Sequence, residues 1–120
     1  MKTPFINDPF AIVWLAFKEL YPDKECKCFY EPAIRPDTDG GEVYGLTDFD
    51  VETGEITVFV KSTLSIEDAT EILAHELAHV AVGIEQDHNE VWEHAFDAIF
   101  EKYNEIGDKL FSNEKGGAAE

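Results

Sequence analysis

The chain has only two cysteines in 120 residues, Cys26 and Cys28, and one residue separates them. That spacing is too short for an ordinary structural disulfide, and two cysteines are too few for a secreted disulfide framework. Reduced thiols, and with them a cytoplasmic location, are expected. Long apolar runs are also missing: none approaches the roughly 20 residues that cross a bilayer. Met1-Lys2-Thr3-Pro4-Phe5 lacks the charged-then-apolar pattern of a signal segment, so no membrane partner is expected. Basic residues are scarce, with 9 Lys and Arg against 26 Asp and Glu and a net charge of −17. Such a field repels a phosphate backbone, and no basic patch opposes it, so no nucleic acid partner is expected. The acidity reads as a soluble, well-solvated surface, with a preference for basic substrates as the alternative reading.

What the chain does contain is enough apolar material, 44% of its residues, for one domain with its own core. Residues 1–111 are read as that domain. The tail 112–120, ending Lys115-Gly116-Gly117-Ala118-Ala119-Glu120, is small and polar and is expected to be disordered. Asn7-Asp8-Pro9 caps a first helix, from about Pro9 to Tyr21, with Phe10, Val13, Trp14, Phe17 and Leu20 at helical spacing. Pro22 to Gly41 reads as a connection with a short strand around Cys28 to Tyr30, and its Asp37-Thr38-Asp39-Gly40-Gly41 cluster as a mobile loop. Val43 to Val51 and Glu55 to Val60 form a β-hairpin about Glu52-Thr53-Gly54. Ser65-Ile66-Glu67-Asp68 resembles a capping box opening a second helix, which Gly83 stops. A third helix begins near Asp87 to Asn89 and carries Val91, Trp92, Ala95, Phe96, Ile99, Phe100 and Tyr103. The fold class is therefore α+β.

All four histidines lie between residues 75 and 94, and two of them belong to His75-Glu76-Leu77-Ala78-His79. Helical positions four apart project from one face, so His75 and His79 can bite one metal ion. Glu76 lies about 100° around from His75, beside such an ion, where a carboxylate can take a proton from a water that the metal activates. Imidazole nitrogen suits Zn²⁺, which in hydrolytic sites has three protein ligands and one open position. His88, just past the turn that Gly83 permits, is one candidate for the third ligand. Glu90, Glu93 and His94 are the others.

His75-Glu76-Leu77-Ala78-His79, followed by a short spacer and His88-Asn89-Glu90-Val91-Trp92, resembles the SprT-like and WLM groups of zinc metallopeptidases. The specific part of the resemblance is confined to residues 75–92, and the layout matches loosely over residues 8–105. It implies a zincin-like minimal domain in which His75, His79 and His88 hold zinc, Glu76 is the catalytic base, and a peptide or protein is the substrate. The His79 to His88 spacer is shorter than in many SprT-like members, and their nucleic-acid-binding segments have no counterpart. A second resemblance, to minimal gluzincins and ImmA-like peptidases, would make Glu93 the third ligand.

Two other functions fit the same residues: a zinc hydrolase of a non-peptide amide or ester, and a non-catalytic, zinc-stabilised module that binds a protein partner. Cys26 and Cys28 read as plain strand residues, and Trp92 and Phe96 as core. Tyr44 and Tyr103 are candidates to stabilise an oxyanion, with nothing in the spacing to select one. If the substrate is an extended peptide, Ile56 to Val60 is the strand expected to receive it by edge pairing.

Overall fold

Asp8 starts the first helix as an N-cap, its carboxylate accepting from the backbone N–H of Phe10 at 3.0 Å. The computed structural model describes residues 8–32, 34, 44–83 and 88–119, with side chains described as far as residue 109. The element order is α1 (Pro9–Leu20), β1 (Lys27–Glu31), β2 (Gly45–Phe49), β3 (Ile56–Lys61), α2 (Ile66–Val82) and α3 (Glu90–Ala119). The domain is thus α+β, with three helices and one small mixed sheet among the described residues. No described helix is long and apolar enough to cross a membrane.

The hairpin forms as its sequence predicts, with a shorter first strand, Gly45–Phe49, and a second, Ile56–Lys61, shifted by one residue. Asp50 ends β2 by turning its carboxylate onto the backbone N–H groups of Glu52 and Thr53, at 2.9 and 3.2 Å. This local competition for backbone donors is what aspartate does in turns. Gly54 supplies the positive φ of +79° that closes the turn.

Sheet order corrects one expectation. The strands run β1-β3-β2, with β1 parallel and β2 antiparallel to β3. Ile56 to Val60 is therefore central, and both of its edges are already paired. A peptide cannot add to it; β1 and β2 are the edge strands among the described residues.

Period-2 alternation along β3 turns Val58 and Val60 inward, and both are buried. They meet Val13 and Phe17 of α1, Leu73, Leu77 and Val80 of α2, and Ala95 and Ile99 of α3 in one cluster. Each fully buried Leu, Ile, Val or Phe of this set contributes roughly 1.5–3 kcal/mol. Ile66, though apolar, opens α2 67% exposed. Asn89 caps α3, its amide oxygen accepting from the Trp92 N–H at 3.1 Å. The helical backbone of α3 runs on to Ala119, into the segment from Ser112 for which composition predicts disorder; once a helix is nucleated, each further residue adds a hydrogen bond. The Asp37 to Gly41 cluster and Asp87 lie outside the described residues.

Candidate metal centre

α2 is fixed at both ends by its sequence. Ser65 Oγ accepts from the Asp68 N–H at 3.1 Å, and Gly83, at φ +92°, closes the helix by donating its N–H to the His79 carbonyl at 2.9 Å. Leu73, Leu77 and Val80 commit one face to the core, which leaves His75 and His79 half-buried on another. His88 approaches from the residues that precede α3. Its Nε2 lies 3.1 Å from His79 Nε2 and 3.1 Å from His75 Nε2.

These contacts have a definite chemical reading. An imidazole nitrogen carries either one proton or one lone pair, so His88 Nε2 can hydrogen bond with only one of its two neighbours. A single cation shared by three lone pairs satisfies all three nitrogens. Imidazole ligands at about 2.0–2.1 Å around a tetrahedral ion stand about 3.3 Å apart, close to the two separations that His88 makes. The three ligand atoms all lie within 4.8 Å of one another, so the set fits a metal ion. Burial, with added effects from His79 and His88, pushes the His75 pKa down to about 4, so the ring is neutral and its lone pair available at neutral pH.

Trp92, read from sequence as core, borders the core cluster and also packs on all three imidazoles. Its ring centroid is 4.7 Å from that of His75, 4.8 Å from His88 and 5.5 Å from His79. Its indole N–H donates to the His75 carbonyl at 3.3 Å, and Phe96 stacks on its far face at 5.3 Å. The rings of the candidate ligands are thereby held from outside the ligand set.

Glu76 is buried, 6% exposed, with Oε2 3.9 Å from His75 Nε2. Its other oxygen accepts from Thr47 Oγ1 at 2.6 Å. Burial lifts the carboxyl above the ordinary carboxylate range, and the Thr47 hydrogen bond partly offsets that rise. Gly45, two residues earlier on β2, gives the carboxylate its room: a Cβ there would stand 2.8 Å from Glu76 Oε2 and 2.5 Å from Ile72 Cγ2. Neither Thr47 nor Gly45 was among the sequence candidates. The available signal was the small and polar content of the alternate positions Gly45 and Thr47 in a strand that otherwise buries one face.

Of the sequence candidates, the structure brings His75, His79 and His88 together and leaves Glu90, Glu93 and His94, all exposed, out of the cluster. Tyr103, eleven residues beyond Trp92 on α3, lines a separate cavity. Tyr44 leads into β2, its ring 5.5 Å from Lys61 Nζ. Cys26 and Cys28 are not in the cluster. Comparison of the chain with protein-family models, with curated proteins and with solved structures gives no match.

Proposed function

We propose that this protein is a zinc-dependent peptidase of the HExxH type, with His75, His79 and His88 as zinc ligands and Glu76 as general base. The observation that carries the reading is the convergence of three imidazoles, with His88 Nε2 3.1 Å from Nε2 of both His75 and His79, and a buried carboxylate beside them. Three imidazoles favour zinc, which when bound lowers the pKa of a water molecule to about 7 and polarises a carbonyl oxygen. With the metal held by these residues, Glu76 would take a proton from the attacking water at Oε2 while Thr47 holds Oε1, and would return it to the leaving amine. A group raised by burial above the ordinary carboxylate range is suited to this two-way transfer. Trp92 keeps the His75 and His88 rings in place.

The resemblance of residues 75–92 to SprT-like and WLM peptidases supports peptide over other amides. So does the sheet: edge strand β2 supplies Thr47 and Gly45 to the Glu76 pocket, so a peptide paired along it would pass beside the catalytic carboxylate.

The test is zinc loading followed by incubation with a mixed peptide library read by mass spectrometry. Cleavage by the zinc-loaded chain, lost on metal removal and in Glu76→Gln with zinc still bound, is the expected result. No peptide cleavage, together with turnover of small amides or esters, would instead favour the non-peptide hydrolase.

A further inference from the structure

Phe96 belongs to two features. Its ring is 6.2 Å from that of His75, and it also lines a cavity of about 1090 Å³ between the first turns of α1 and α2 and the middle of α3. Glu71, one turn before His75 on α2, lines the same cavity. The cavity is separate from the metal centre, whose residues do not line it, and Phe96 and Glu71 are the links between the two.

Its lining has two parts. Phe10, Ile12, Phe96, Phe100 and Tyr103 provide apolar and aromatic surface, and the exposed side chain of Ile66 extends it toward solvent. The rest of the lining includes five carboxylates and no Lys, Arg or His. One of the five, Asp8, caps α1. The other four, Glu67, Glu71, Asp97 and Asp108, form no ion pair among the described residues. The partial positive charge of the α1 and α2 N-termini is met by Asp8 and Glu67, so the sign of the space stays negative.

We propose that this cavity docks a basic segment of the polypeptide substrate, one in which Lys or Arg residues alternate with apolar side chains. The carboxylates receive the cationic tips, and the rings receive the stems and the apolar neighbours. The volume of about 1090 Å³ lies just above the roughly 300–1,000 Å³ typical of ligand sites, which suits several residues of a peptide better than one side chain. A second copy of this chain, with its charge of −17, is repelled by the same carboxylates. The inference rests on the peptidase reading for the occupant being a substrate, and on the cavity alone for its chemistry.

The experiment measures binding without turnover. A fluorescent peptide of alternating Lys and Leu, and a Glu and Leu counterpart, are titrated onto the zinc-loaded Glu76→Gln chain at physiological salt. The Lys peptide binds and the Glu peptide does not. Glu71→Gln with Asp97→Asn weakens binding about tenfold, while Asp23→Asn with Glu52→Gln, which has the same net charge but lies away from the cavity, changes it less than about twofold. Ile66→Ser, at an exposed position that leaves the core intact, also weakens it. Equal loss in both charge doubles, binding of both peptides, or concentration-dependent dimerisation in place of peptide binding overturns the proposal. Cavity-dependent binding of the Lys peptide, with no peptide cleaved by the wild-type chain, keeps the docking site and discards the peptidase reading. Cleavage of a library with no basic preference does the reverse.

Discussion

Thr47 Oγ1 donates a 2.6 Å hydrogen bond to Glu76 Oε1 and stands 3.2 Å from the carbonyl oxygen of the same residue. A hydroxyl has one proton to give, and the shorter contact assigns it to the carboxylate. This ties the proposed base to the β-sheet as well as to its own helix. Thr47→Val keeps the shape and removes the bond. The expected outcome is full zinc binding, a kcat lowered about tenfold, and little change in KM. The hydrogen bond holds the Glu76 pKa down, so its loss raises that pKa. The acidic limb of the pH profile moves to higher pH, and Thr47→Ser restores both rate and limb.

Gly45 makes a separate prediction because the space beside it is already full. A Cβ at this position meets Ile72 Cγ2 at 2.5 Å and Glu76 Oε2 at 2.8 Å. Gly45→Ala should cost about 1–3 kcal/mol, as overpacking does, and lower activity even at temperatures where the variant is fully folded. Gly107→Ala is the contrasting control. It lies within α3 with nothing within 4 Å of its Cβ, so the better helix former should stabilise by about 0.5–1 kcal/mol. Thermal melts of the two variants should move in opposite directions.

How much of this was legible in the sequence depends on the length of chain that decides each feature. His75 and His79 are related by one helical turn, a distance that helix geometry fixes, so their shared face could be read directly. Helix starts at Asp8 and Ser65 and the stop at Gly83 were equally local. The central place of β3 was not. It depends on β1, some thirty residues earlier, pairing parallel on one side while the hairpin partner takes the other. Thr47 and Gly45 were hidden for the same reason: their roles exist only once β2 is laid against α2. Trp92 was legible as a core-packing residue, but its contacts with the imidazoles were not, because helical spacing gives a face of the helix and not every neighbour on that face.

The histidine cluster predicts a clean separation between candidate ligands. His88→Ala should abolish stoichiometric zinc binding measured by elemental analysis after dialysis, whereas Glu93→Ala should retain it, since exposed Glu93 is outside the cluster. Trp92 provides an optical readout of the same event. With Trp14→Phe removing the second of two tryptophans, paramagnetic Cu²⁺ or Co²⁺ bound by the three imidazoles should quench the remaining emission, because the indole is packed on all three rings. The same additions to the His88→Ala form should leave the emission nearly unchanged. Zinc loss in Glu93→Ala with retention in His88→Ala would reassign the third ligand.

Glu76 makes the last prediction, about the cost of keeping a charge where chemistry needs it. Burial raises its pKa above the ordinary carboxylate range, so the native state holds the proton more tightly than the unfolded chain does. Stability from this group is then fully present below the ordinary carboxylate pKa and declines as pH rises through it toward the native value. At pH 7, in metal-free protein, Glu76→Gln removes that penalty while keeping an oxygen that can accept from Thr47. Stability should rise on the order of 1 kcal/mol, or about 2–5 °C in Tm. The difference between the two proteins should shrink as pH is lowered through the carboxylate range, where Glu76 is protonated in both states. A carboxylate whose removal stabilises the fold and abolishes turnover is held in place by function, whereas a fold destabilised by Glu76→Gln at every pH would make its burial structural.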